Sequence, residues 1–186
     1  MEVFKDISVD ELISLVDTCN NIEELSVYGY LFTRLKPNRD GVPFDQLFDK
    51  KILQLEDSQD NIRLKLVSVI RLIVTNAKDT KVIYEVEELV KIGDELLLAF
   101  EKSAHISTFE KNLLKSRYYR AKAFLYQLRK ENDDMLECMK LCEHYADECS
   151  KTSDSSTLQH HQTIDNYIGC YESMSRTYFL IQDEEN

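Results

Sequence analysis

Glycine and proline are scarce in this chain, with only four glycines and two prolines among 186 residues. An all-β protein needs frequent turns, and a doubly wound α/β enzyme needs glycine-rich loops, so both classes are disfavoured. Apolar residues make up 43% of the chain, which is enough for a hydrophobic core and excludes general disorder. The composition therefore predicts an all-helical protein.

Positive charge is also in short supply. The chain has 23 lysines and arginines against 34 acidic residues, a formal net charge of −11. Because an acidic surface repels phosphate backbones, a nucleic-acid partner is not expected. The chain lacks a long uninterrupted apolar run, and its N-terminus lacks an apolar signal core. We therefore expect no membrane span and a cytoplasmic location.

The five cysteines are an odd number without a CxxC motif, which predicts buried free thiols. Cys138, Cys142 and His144, with Cys149, invite a zinc hypothesis. The three cysteines share one face of a predicted helix, however, and this spacing favours a buried apolar stripe. No HExxH, GxSxG, Walker or GxGxxG motif occurs, so neither catalysis nor a cofactor is predicted. A zinc or thiol enzyme stays open as the weaker alternative.

Apolar spacing and stop signals predict seven helices. They cover about residues 8–18, 22–35, 44–76, 79–102, 107–130, 133–151 and 157–181. Ser8 is the expected N-cap of the first helix, and Glu11 completes a capping box. The third segment contains neither Gly nor Pro and is predicted as one long helix, despite a polar stretch at 56–61. Short polar loops predict antiparallel packing in a single domain spanning 1–186.

The fifth predicted helix concentrates positive charge, because residues 111–130 contain seven basic residues and no acidic one. One face carries four of these cations: Lys111, Lys115, Lys122 and Arg129. Arg117 and Arg120 lie on another face. Two hypotheses are open: a basic helix packed among acidic helices, or a surface where some of these cations receive an anionic ligand.

Four stretches of the chain resemble the 14-3-3 family, phosphopeptide-binding dimers built of antiparallel helices. LVDTCNNIEELSVY (15–28) resembles the junction of the family's first two helices, and LKLVSVI (64–70) resembles part of its third. ELVKIGDELLLAFEK (88–102) is similar to its fourth helix, and KSRYYRAKAFLY (115–126) to its fifth. The resemblance implies an antiparallel all-α bundle of about seven helices, with a long third helix, that acts as a non-catalytic adaptor.

The resemblance also implies a groove, lined by the basic fifth helix, for an extended peptide. A further stretch, DNYIGCY (165–171), resembles the family's seventh helix and makes Asn166 the expected clamp on the peptide backbone. The implied peptide- and phosphate-binding residues are Arg117, Arg120, Lys122 and Asn166. The implied ligand is a segment of another protein that contains phosphoserine or phosphothreonine, or is simply acidic.

Several departures from the family indicate weakened or altered phosphate recognition. Gln54 (or Leu53) and Asn61 stand where the family has a lysine and an arginine on its third helix. Arg120 or Lys122, depending on the register, takes the place of the fifth-helix arginine, and alanine follows where the family has tyrosine. The chain also stops near the end of the seventh helix, so the family's last two helices have no counterpart.

A homodimer is expected from the same resemblance, because first-helix residues of the family pack on the partner's third and fourth helices. Here Leu15 and Cys19 would contact Val67 and Ile70 of the second copy. The principal alternative is a tetratricopeptide-like helical scaffold, a subunit of a larger complex. It predicts near-equal helices of roughly 12–16 residues and a break in the third segment near 57–61.

Overall fold

The computed structural model describes residues 7–35, 42–56, 58–79, 81–154 and 157–184. These residues form eight helices and no strand, which confirms the all-α class. The helices are α1 (Val9–Thr18), α2 (Ile22–Leu35), α3 (Val42–Gln54), α4 (Gln59–Asp79), α5 (Ile83–Lys102), α6 (Thr108–Arg129), α7 (Asn132–Thr152) and α8 (Thr157–Glu184). No described helix combines the length and the apolar character that crossing a bilayer requires.

The first helix begins at the predicted capping box. The Glu11 backbone N–H donates to Ser8 Oγ over 3.2 Å, and the Ser8 backbone N–H donates to Glu11 Oε2 over 2.8 Å. These two bonds satisfy backbone donors that the start of a helix leaves unpaired. The hydrogen bond from the Ser8 backbone also lowers the pKa of the Glu11 carboxyl.

The prediction of one long third helix is wrong. Helix α3 ends at Gln54, and α4 begins at Gln59. Ser58 Oγ accepts a hydrogen bond from the Asn61 backbone N–H over 3.2 Å, and Asn61 Nδ2 donates to the Glu56 carbonyl over 3.0 Å. Because these side chains satisfy backbone groups that a continuous helix would pair, the polar stretch ends one helix and caps the next.

The chain divides into two compact units, Met1–Ser68 and Val69–Asn186, and the division falls within α4. In the first unit, α1, α2 and α3 contact one another around a small hydrophobic core. Its buried residues are Leu12, Val16, Cys19, Leu25, Ile52 and Leu55. Lys51 Nζ also donates to the Asp17 carbonyl over 2.6 Å, which joins α3 to the end of α1.

In the second unit, α6 contacts α5, α7 and α8. The core between α6, α7 and α8 is rich in sulfur, and its buried members are Ala123, Met135, Cys138, Met139, Cys142 and Cys170. A smaller cluster of Phe109, Leu113 and Cys149 extends it along α6 and α7. Helix α6 is therefore in contact with each of the other complete helices of this unit.

Salt bridges connect α5 to α6 at a regular interval. The pairs are Glu87–Arg129, Asp94–Lys122 and Glu101–Lys115, and we call them the α5–α6 ladder. Both partners step by seven residues and in opposite directions, so these two helices are antiparallel. Partly exposed pairs contribute only about 0.2–1 kcal/mol each. The ladder therefore sets the register of the two helices more than it adds stability.

Tyr118 packs at the middle of the ladder. Its side chain is fully buried, and its hydroxyl lies 2.9 Å from the Val90 carbonyl and 2.8 Å from Asp94 Oδ1, either of which can accept its proton. The ring lies against Gly93, where an added Cβ would come within 2.5 Å of Tyr118 Cε2. Only glycine leaves room for this ring, so Gly93 and Tyr118 fix how closely α5 approaches α6.

We predict that Gly93→Ala lowers the free energy of unfolding by about 1–3 kcal/mol, although alanine is the better helix former. The Tyr118 side chain is fully buried, and the atoms that the added Cβ meets belong to its ring and hydroxyl rather than to a flexible chain end. Urea denaturation followed by circular dichroism measures the change. Gly169→Ala on α8 is the matched control, because there the added Cβ meets only the flexible end of Arg120. Equal destabilisation of both variants would contradict this explanation.

Candidate functional site

The cations of α6 point towards two different neighbours. Lys122 Nζ lies 2.8 Å from Asp94 Oδ1 and 2.9 Å from Oδ2, on α5. Arg120 extends towards α8, where its guanidinium lies against Gly169. The prediction that Lys122 lines one groove with Arg117 and Arg120 is therefore corrected, since Lys122 belongs to the α5–α6 ladder.

Arg117 and Arg120 form a like-charged pair, which we call the arginine pair. Both side chains are half-buried, and neither forms a salt bridge with any residue that the structure describes. Burial lowers the pKa of the Arg117 guanidinium, and the nearby charge of Arg120 lowers it further. Asp165 acts in the opposite direction, but its effect is smaller. Such a pair lacks the counter-charge that a partly buried cation normally has.

Arg120 also lines a small cleft between α6, α7 and α8, with a volume of about 40 Å³. A second cation, Arg176 of α8, lines the same cleft, together with the polar side chains of Gln127, Ser173 and Thr177. The cleft thus brings two cationic side chains, Arg120 and Arg176, to one opening at the surface.

Gly169 allows the guanidinium of Arg120 to take its position. An added Cβ at residue 169 would overlap Arg120 Nη1 and come within 2.8 Å of Arg120 Cζ. Gly169 lies in the middle of a helix, where glycine is unfavourable by about 1 kcal/mol relative to alanine. The contact with Arg120 gives a local physical reason for glycine at this position.

Asn166, the predicted peptide clamp, is buried, with 3% of its surface exposed. Its Nδ2 donates to Ser116 Oγ over 2.9 Å, and Ser116 Oγ donates to the Cys142 carbonyl over 2.9 Å. These two linked, buried hydrogen bonds connect α6, α7 and α8. Because Gly169 is one turn further along α8, they hold Gly169 against Arg120. The structure thus places Asn166 in a supporting position rather than on an open surface.

The residues predicted for the dimer interface differ in exposure. Cys19 belongs to the core of the first unit and has 6% of its surface exposed, so it offers almost no area to a second copy. Leu15 of α1 is half-buried, as are Val67 and Ile70 of α4. The structure thus leaves Leu15, Val67 and Ile70 with part of their surface accessible.

No protein-family model matches the chain, and no curated protein or solved structure matches it either. The 14-3-3 relationship therefore stays a prediction from the sequence motifs.

The cysteines form the predicted buried stripe. Cys138, Cys142 and Cys149 are buried, whereas His144 is exposed and packs edge-on against Tyr145. Among the residues that the structure describes, no group of three or more His, Cys, Asp or Glu side chains could hold a metal ion. Burial raises the pKa of the Cys138 thiol to about 12, so little of the reactive thiolate exists at neutral pH.

Three residues of this region did not emerge from sequence reasoning: Gly169, Arg176 and Asp94. Two of them, Arg176 and Asp94, could have been identified from the sequence. Arg176 is the only lysine or arginine between residues 157 and 184, and Asp94 lies midway between two other acids at seven-residue intervals. The importance of Gly169 had no local signal, since it depends on Arg120, which lies on a different helix.

We predict that Ser116→Ala destabilises the fold by about 1–3 kcal/mol, because it leaves the Asn166 amide and the Cys142 carbonyl without their buried partner. Chemical denaturation measures the difference. Ser175→Ala removes an exposed hydroxyl from α8 and serves as the control, with an expected change within about 0.5 kcal/mol. If both variants were equally stable, the two linked, buried hydrogen bonds would not be holding α8 against α6.

Proposed function

We propose that this protein is a non-catalytic, 14-3-3-like adaptor that binds an extended phosphorylated or acidic peptide at the arginine pair of α6. The observation that carries this proposal is that Arg117 and Arg120 are half-buried, adjacent and without a carboxylate partner among the described residues. Of the other half-buried cations of α6, Lys115 and Lys122 have their acids on α5, and Lys111 donates to the Glu101 backbone carbonyl at the end of the same helix.

An anion bound at the arginine pair would reduce the repulsion between the two guanidiniums. A phosphate carries close to two negative charges and three acceptor oxygens, which match the forked donors of arginine. Arg176 lies at the same cleft as Arg120 and can add a third cation. Because the cleft is open at the surface and small, recognition would be confined to the anionic group and its immediate neighbours.

The predicted affinity for phosphate is lower than a full set of cations would provide. Lys122 is paired with Asp94, and neither Gln54 nor Asn61 carries a charge. A carboxylate-rich segment is therefore a realistic alternative to a phosphorylated one. We further propose that the adaptor works as a homodimer in the cytoplasm, as the resemblance implies.

A second candidate function is a helical scaffold of tetratricopeptide type within a larger complex. The break between α3 and α4 favours it, because that alternative predicted an interruption near this place. The later helices do not favour it, since α4 to α8 contain 20 to 28 residues each. A scaffold would bind its partners without any requirement for the arginine pair.

We predict that Arg120→Gln weakens binding of the best phosphopeptide about 10- to 100-fold, the loss expected for one charge-assisted hydrogen-bonding group. A pull-down with a phosphopeptide library, run in parallel with the same library without phosphate, identifies the ligand. Fluorescence anisotropy then measures the affinity. Arg129→Gln is the matched control, because Arg129 lies on the same helix but pairs with Glu87. Equal effects of the two variants would refute the proposed site, as would a library with no binder.

Gly169→Ala tests the same site without changing any charge. The added methyl group must displace the guanidinium of Arg120, so we expect peptide affinity to fall at least about tenfold. Stability should stay equal or rise, since alanine is favoured over glycine in a helix. Full affinity in this variant would show that the position of Arg120 does not matter for binding.

A further inference from the structure

The outer face of α8 is unusually apolar. Among the described side chains, seven of the thirteen large exposed apolar residues lie on this one helix. Four of them follow helical spacing along one face, and they are Ile164, Ile168, Tyr171 and Tyr178, with 42%, 53%, 51% and 49% of their surfaces exposed. The opposite side of α8 is buried at Asn166 and Cys170. An apolar stripe that no described residue covers is typical of an interaction surface.

Tyr171, at the middle of this face, is held in place before any partner binds. Its ring stacks on Tyr167, with centroids 5.9 Å apart and planes at 6°. The Tyr167 hydroxyl in turn donates to Asp147 Oδ1 on α7 over 2.8 Å. A rigid, half-exposed tyrosine loses little conformational entropy on binding and is typical of residues that dominate interface energetics.

Three charged residues, Asp165, Glu172 and Arg176, are exposed on one flank of this face. Asp165 and Arg176, six residues before and five residues after Tyr171, complement each other in an antiparallel pairing, whereas Glu172 would meet its own copy near the centre. Neither Asp165 nor Arg176 forms a salt bridge with any described residue. If two α8 helices cross antiparallel at Tyr171, Asp165 comes next to Arg176 of the partner subunit, and the reverse pair forms as well. A parallel two-fold pairing would instead place this flank of the two copies on opposite sides of the interface, where neither pair could form.

We propose that this face binds the same face of a second copy of the chain, with α8 antiparallel to α8 and the two-fold axis at Tyr171. Ile164 then lies opposite Tyr178 of the partner subunit, because each is seven residues from Tyr171. Such an interface is isologous, as in most homodimers. It competes with the expected interface at Leu15 and Cys19, and it uses Arg176, which also lines the cleft beside Arg120.

Sedimentation velocity of the full chain over a range of concentrations tests this dimer. The wild type should dimerise, and Tyr171→Asp should weaken dimerisation about a hundredfold or more, because it places two carboxylates face to face at the axis. Tyr84→Asp changes an equally large tyrosine, 68% exposed on α5, and should have no effect. Circular dichroism checks that each variant is folded.

Two results would overturn the proposal. The first is a wild-type chain that stays monomeric at every concentration, which would leave the face to a different protein. The second is a dimer that Leu15→Asp dissociates and Tyr171→Asp does not, which would return the interface to α1.

A charge exchange tests the antiparallel register. Arg176→Asp should weaken the dimer, and adding Asp165→Arg in the same chain should restore it. If Tyr171→Asp dissociates the dimer but the double exchange restores nothing, the face is the interface but the proposed antiparallel register is wrong.

Discussion

The α5–α6 ladder determines which basic side chains of α6 are available to bind an anion. Acids on α5 and bases on α6 recur every seven residues, so their pairing fixes the register of two antiparallel helices and occupies one face of α6. Each pair contributes little free energy by itself. The larger effect of the ladder is to place the Tyr118 ring over Gly93, where the backbone of α5 leaves room for the ring.

On the side of α6 that faces α8, two basic side chains are not paired in salt bridges within the described part of the chain. Arg117 and Arg120 are partly removed from water but form no salt bridge with any described residue, and Gly169 makes space for the second guanidinium. The buried bonds of Ser116 and Asn166 hold α8 in the position that creates this arrangement. One helix therefore has a structural cationic face and a second cationic face that is available for an anionic ligand.

Local spacing predicted the features that depend on neighbours in sequence: the helical class, the capping box at Ser8 and the buried stripe of cysteines. It did not predict the end of α3, because apolar spacing continues across a stretch where Ser58 and Asn61 cap a new helix. The concentration of charge in α6 was also visible. Its division between two neighbours was not, because it depends on Asp94 of α5 and Gly169 of α8. The role of Asn166 was not visible either, since its partner Ser116 lies fifty residues away in sequence.

Nuclear magnetic resonance of the arginine side chains tests the central claim most directly, because all three arginines of α6 can be observed in the same unmodified protein. Phenyl phosphate, a minimal phosphate monoester, is titrated while the Nε–Hε signals are recorded. The account predicts saturable shifts for Arg117 and Arg120 and none for Arg129, which is already paired with Glu87. Small, linear and equal shifts of all three arginines would contradict it.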